Sequence, residues 1–182
     1  MENNQSVLEK FEIVKFGPCK FVGYAAYLGN KRGTKSAFYD FMWKQNDWVF
    51  EALDGMKEYA AGETQNFALI AWDKHYDEKS ELFGYYIGRF MKADTPITKD
   101  LDFDYFDIPE IYVAKARMKV KADKRFGIFA FDDKLMNNAI NNTGLYKEAG
   151  WIFSAETYPV SDGNGNALVD AYMSCLLKNA DN

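Results

Sequence analysis

Two stretches decide how this chain reads: Phe16-Gly-Pro-Cys-Lys-Phe-Val-Gly-Tyr-Ala-Ala-Tyr27 and Asp107-Ile-Pro-Glu-Ile-Tyr-Val-Ala-Lys-Ala-Arg-Met118. Laid over one another, Pro18 meets Pro109, Phe21 meets Tyr112, Val22 meets Val113 and Ala25 meets Ala116. At the same offset Phe38 meets Phe129. Self-similarity at a fixed spacing is the mark of a repeated unit, and overlooking it misreads the fold.

The match continues downstream after a short change in spacing. Asn66 to Asp73 (NFALIAWD) lies over Ile152 to Pro159 (IFSAETYP), so that Phe67 meets Phe153 and Trp72 meets Tyr158. Gly84 to Lys92 lies over Asp170 to Lys178, pairing Tyr86 with Tyr172. One length difference between helix and hairpin accounts for the change.

Each copy reads as strand, helix, strand, strand. In the first copy, residues 11–28 are an apolar and aromatic strand, with Gly17-Pro18 marking a kink or an edge. Asn30 to Thr34 is a loop, and Thr34 or Ser36 caps a helix. Phe38, Phe41, Met42, Val49, Ala52, Leu53 and Met56 keep helical spacing, with Gln45 the one break. Strands follow at 66–73 and 82–92.

The second copy has strands at 105–120, 151–159 and 167–178. Between the first two, Asp132 or Asp133 caps a helix that turns Leu135, Met136, Ala139 and Ile140 to one side and stops near Gly144. Ser161 to Asn166 is a hairpin turn. Residues 94–104 are the linker, giving units over about 10–93 and 105–178 of one domain. The predicted class is α+β: duplicated βαββ units, antiparallel sheets with helices on one side, and a ligand cleft between the copies.

Alternation along the strands assigns faces. Val169, Ala171, Met173, Cys175 and Leu177 are uniformly apolar and are expected to face the helices, with Asp170, Tyr172 and Ser174 turned away. In 151–159, Phe153 and Ala155 suit the helix side, which leaves Glu156 and Tyr158 beside Asp170 and Tyr172. The repeat adds Ile70, Trp72 and Tyr86 from the first copy, with Tyr112 nearby. An acid inside an apolar strand is costly unless paired or hydrated. A carboxylate among aromatic faces suits a lipophilic cation, because charge and π faces meet the cation and rings stack on its body. Pairing of Glu156 with Lys115 or Arg117, or simple exposure to water, is the competing expectation.

Composition narrows the classes further. The chain has 182 residues, and 17% of them are aromatic, an excess that must fill a core, line a pocket or cover an interface. The net charge of -5 and the lack of any basic cluster outside Lys115 to Arg125 argue against direct nucleic-acid binding. No apolar run is long enough to span a membrane, and the opening residues carry no signal-peptide pattern. Cys19 and Cys175 are far apart, without metal-ligand spacing, as in a reducing cytoplasm. No cofactor and no metal are expected. Asp100, Asp102 and Asp104 open like a calcium loop, but Tyr105 stands where that loop needs glycine and Ile111 where it needs its bidentate acid. His75 reads as a solvated turn residue.

The chain resembles the GyrI-like, or AraC-type effector-binding, domain family. The resemblance rests on the duplicated βαββ pattern, Phe21-Val22-Gly23, the Ile108 to Val113 stretch (Ile-Pro-Glu-Ile-Tyr-Val) and Glu156-Thr157-Tyr158, and covers about residues 10–178. It implies two βαββ repeats related by pseudo-twofold symmetry, in a stand-alone member with a central ligand cleft whose carboxylate is mapped here onto Glu156. It also implies three alternative activities. They are binding of cationic aromatic xenobiotics, hydrolysis of strained cyclopropane rings with Glu156 and Trp72 or Tyr158, and regulation of a protein partner such as a topoisomerase. A small-molecule partner is expected, with the chain a monomer or homodimer. Ala71-Trp72-Asp73 departs from the family pattern, which places tyrosines there.

Overall fold

The computed structural model describes residues 6–29, 41–44, 46–62, 64–71, 82–97, 102–122, 129–149 and 152–178. Its strands in chain order are β1 (Val7–Phe16), β2 (Cys19–Gly29), β3 (Phe67–Ala71), β4 (Leu82–Lys92), β5 (Asp104–Ile108), β6 (Ile111–Lys121), β7 (Tyr146–Glu148), β8 (Phe153–Thr157), β9 (Val160–Ser161) and β10 (Asn166–Leu177). Helix α1 is Asp47–Asp54, helix α2 is Asp133–Asn142, and residues 41–44 are also helical. The fold is α+β.

One antiparallel sheet runs β1-β6-β10-β8-β3-β4-β2-β5, with short β7 and β9 added against β10. Exchanging β1 with β5, β2 with β6, β3 with β8 and β4 with β10 reverses this order onto itself. The central strands β3 and β8 pair directly, Leu69 opposite Ala155 and Ala68 opposite Glu156.

Two expected strands are each divided in two. The stretch 11–28 breaks at Gly17-Pro18, and 105–120 breaks at Pro109. Proline lacks the N–H that a ladder needs. The halves also part company: β1 pairs with β6, whereas β5 pairs with β2. The two breaks meet in space. Gly17 has φ 81, and a Cβ there would lie 2.6 Å from the Pro109 carbonyl oxygen, so only glycine fits.

The helices cover one face. Val49 and Leu53 of α1, Met136 and Ile140 of α2, and Met42 and Trp43 pack with Val22, Ala68, Ile70, Tyr85, Ala171 and Met173 of the sheet. Asp132 caps α2 by accepting from the Leu135 N–H at 3.0 Å, and Gly144 follows the helix with φ 74. Phe41, expected on the buried stripe, is 54% exposed. Leu177, expected to face the helices, lies at the exposed end of β10. Phe38, Gln45 and the expected caps Thr34 and Ser36 lie outside the described residues.

The other face has its own packed layer. Phe21, Phe67, Leu69, Tyr86, Phe90, Phe153 and Ala155 are buried there, with Phe16 and Tyr172 against them. We call it the open face, since no described helix lies on it. Among the described residues no helix is long and apolar enough to cross a membrane.

Candidate functional site

Glu156 stands in the middle of the sheet, on β8, and is fully buried. Its register fixes its side. It lies opposite Ala171 on β10 and Ala68 on β3, both of which belong to the helix-side core. The carboxylate accepts from the Ala130 N–H, 2.9 Å from both oxygens, and Oε2 also accepts from the Phe131 N–H at 2.8 Å. Hydrogen bonds to an ionised acceptor are among the stronger ones a protein makes. They offset part of the cost of burying the group.

Aromatic rings gather on the same face. Trp43 stacks on Phe50 at 5.5 Å and meets Tyr158 edge-on at 5.3 Å. Phe129 and Phe131, which bracket the Ala130 donor, lie 4.9 Å apart. Tyr85 is buried in the same layer as Ile70, its register partner. Tyr158 is 37% exposed, so this aromatic group reaches from the buried carboxylate's layer to the surface.

The expected site therefore divides between two faces. Glu156, Ile70 and Tyr158 are on the helix side, but Asp170, Tyr172 and Tyr86 are on the open face. Tyr172 pairs in register with Ala155, not Glu156, which corrects the expected orientation of β8. Phe153 and Ala155 face away from the helices. The reason is physical: β3 and the core of β8 are buried on both sides, so apolarity cannot tell one side from the other.

The competing expectation is corrected too. Arg117 does not join Glu156 across the sheet; its Nε and Nη2 grip Asp170 at 2.7 and 2.8 Å. Lys115 instead lies over the rings of Tyr172, at 4.8 Å, and Phe16, at 5.4 Å. Tyr86 is buried edge-on to Phe21 at 6.2 Å, its hydroxyl 3.4 Å from that of Tyr27. Tyr27 in turn donates to Asp104. Tyr112 lines a separate groove of about 250 Å³ with Lys15, Ile111 and Cys175. Trp72 and His75 lie outside the described residues.

The larger cleft, about 850 Å³, is on the open face and is lined by Asp170 and Tyr172 but not by Glu156. Sequence reading missed Phe16, Phe67 and Phe90 as its floor and Ala130 and Phe131 as backbone donors. Phe16 alternates in step with Lys10 and Glu12 of its strand, and Phe90 with Tyr86 of its own, a signal that was there to use. No side-chain pattern could mark the two donors, which act through backbone N–H groups. Among the described residues no group of three metal-ligating side chains occurs.

A ten-stranded antiparallel sheet with helices on one face is a fold like that of the GyrI-like effector-binding domains. No family model matches the sequence, and no curated protein matches it. Solved structures do. SAV2435 bound to tetraphenylphosphonium is similar with a TM-score of 0.53 and 12% identity, over 92% of this chain and 94% of that one. A putative bacterial transcription regulation protein from Staphylococcus aureus MU50 is similar with a TM-score of 0.52 and 14% identity, over 91% and 97%. At such identities the likeness is one of fold.

Proposed function

We propose that this chain binds small hydrophobic molecules that carry a cation on an aromatic framework, on the helix face around Glu156. The observation that carries this reading is the fully buried Glu156 carboxylate at the centre of the sheet, among the layer of Trp43, Tyr85, Phe129 and Phe131. A cation brought near a carboxylate in a poorly hydrated layer gains more than it would in water, and ring faces add to that attraction. The likeness of fold to SAV2435, whose structure holds tetraphenylphosphonium, supports the same chemistry. So does the self-reversing strand order, which a tandem duplication with a central site would produce. Binding is preferred over hydrolysis because both Glu156 oxygens already accept backbone N–H bonds. That suits a fixed counter-charge better than a base that must take up a proton. A cytoplasmic setting is part of the proposal and agrees with two free, buried cysteines.

The test is calorimetric titration of wild type and Glu156→Gln with tetraphenylphosphonium and with neutral triphenylphosphine oxide. Wild type is expected to prefer the cation by at least about tenfold, a difference of about 1.4 kcal/mol. The glutamine variant, checked for an intact thermal transition, should lose that preference. Equal binding of both ligands by wild type, or a preference that survives in the variant, would overturn the reading.

A further inference from the structure

The open face carries charges of the opposite sense. Its cleft of about 850 Å³ has Phe16, Phe67, Phe90 and Tyr172 in its lining. Phe90 stacks on Tyr172 at 5.7 Å, Phe67 meets both Phe90 and Tyr172 at 5.0 Å, and Phe16 meets Phe90 edge-on at 5.1 Å. These four rings form one continuous floor. The cleft also holds Lys10, Lys115 and Arg117 against Glu12 and Asp170. Among the described residues the balance is one positive charge, in a chain whose net charge is -5.

The cations do not have equal freedom. Arg117 is held bidentately by Asp170. Lys115 lies opposite Glu12 and Tyr172 in register, yet among the described residues it is in no ion pair. Its ammonium rests over two rings instead. A ring face attracts the charge but accepts no strong hydrogen bond, so the N–H groups turned from the rings stay available for an anion. Lys10 stands opposite Arg117 in register, on the same face and also in the lining. The volume is that of an ordinary small-molecule site, with an apolar floor and a few convergent polar groups.

We propose that this cleft is a second site, separate from the helix face, for small aromatic anions such as aryl carboxylates. The ring of the ligand stacks on Tyr172, Phe90 and Phe67. Its carboxylate takes the ammonium of Lys115, with Lys10 adding attraction from the rim. The Arg117–Asp170 pair holds the wall in shape. This site does not depend on Glu156, so it can stand or fall independently of the cation site.

The experiment is calorimetric titration with 2-naphthoate and with neutral 2-naphthalenemethanol, on wild type, Lys115→Met, Lys115→Arg and Glu156→Gln. Naphthoate is expected to bind at least about tenfold tighter than the alcohol and to weaken as salt is raised. Lys115→Met should lose at least about tenfold in naphthoate affinity, Lys115→Arg should restore most of it, and Glu156→Gln should change nothing. Failure of naphthoate to bind, or binding indifferent to Lys115→Met, would overturn the proposal. A loss in Glu156→Gln as large as in Lys115→Met would also overturn it, by making the two sites one. Should Lys115→Met lack a thermal transition, Lys10→Gln decides: a twofold to threefold loss, typical of an exposed charge, supports the site and no change overturns it.

Discussion

The two faces of the sheet handle charge differently. On the helix face, charged groups are taken out of water and held by named partners. Glu156 is held by two backbone N–H groups, and Arg89 by Asp54 at 2.8 Å and Asn66 at 2.7 Å. On the open face the charges stand at the side of a cleft, with the Arg117 side chain 42% exposed and that of Asp170 21% exposed. Both faces are nonetheless packed with buried apolar side chains. Apolar burial therefore stabilises this fold on both sides, and the contrast lies in how polar groups are placed. A charge held in a dry layer can discriminate by sign, whereas one at a wet cleft steers and is screened.

The largest effect should come from cutting into either layer. Phe153, 1% exposed on the open face, and Leu53, fully buried on α1, are matched probes. Phe153→Ala is expected to cost about 3–5 kcal/mol and Leu53→Ala about 2–5 kcal/mol by urea unfolding. A loss below about 1 kcal/mol for Phe153→Ala would mean that the open face is a surface and not a second core, and the comparison would fail.

The thiols sample one face each. Cys19 belongs to the open-face layer and Cys175 to the helix-face core. Burial pushes Cys19 up to about 12, and burial likewise pushes Cys175 up to about 11. The thiolate is the reactive form. At pH 8 both should label with a disulfide reagent at least about a hundredfold more slowly than a free thiol, given an ordinary thiol pKa near 8.5. Both should react fully in urea. Cys175, which lines the small groove beside Tyr112, should react before Cys19. Rapid labelling of Cys19 in the native protein would show the open face parting where the packing says it is closed.

How much of this was legible follows from the kind of signal each element carries. Strand β4 was read with its bounds, 82–92, because it is a mostly apolar run flanked by polar sequence. The Asp132 cap and the turn at Asp162, whose carboxylate accepts from the Asn164 and Asn166 N–H groups, were readable from local side-chain chemistry. Gly23 was part of the motif that suggested the fold, and the structure gives its reason. A Cβ there would lie 1.9 Å from the Ile87 carbonyl oxygen, where β2 and β4 bring Gly23 opposite Gly88.

The crossing of β1 to β6 and of β5 to β2 was not legible. It is a choice between distant partners, and no local propensity encodes it. Glu156 stood out as an acid in a buried strand, but its side did not. The decisive fact was a register with Ala171 and not Tyr172. A shift of one residue reverses every side chain of a strand, and a strand buried on both faces gives no pattern to choose with.

The smallest effect tests whether the helix-face charges are held as firmly as their geometry implies. Arg89 is buried on the sheet, and its partner Asp54 stands on α1 with its side chain 52% exposed. The Arg89 hydrogen bond holds the Asp54 carboxyl below its usual value of 3.8. A carboxyl lowered in the folded state adds stability above its unfolded pKa and loses it as pH falls through the folded value. Stability should therefore fall below about pH 4. Asp162, held low first by the Asn164 N–H and then by Lys119, adds to the same slope. The informative quantity is thus the difference between wild type and Asp54→Asn. The variant should start less stable at pH 7 and show a shallower acid slope in thermal melts between pH 6 and pH 3. Parallel slopes would mean that Asp54 is not held by Arg89 in solution. Among the described residues Arg89 would then keep only its Asn66 partner, and the contrast between the faces would rest mainly on Glu156.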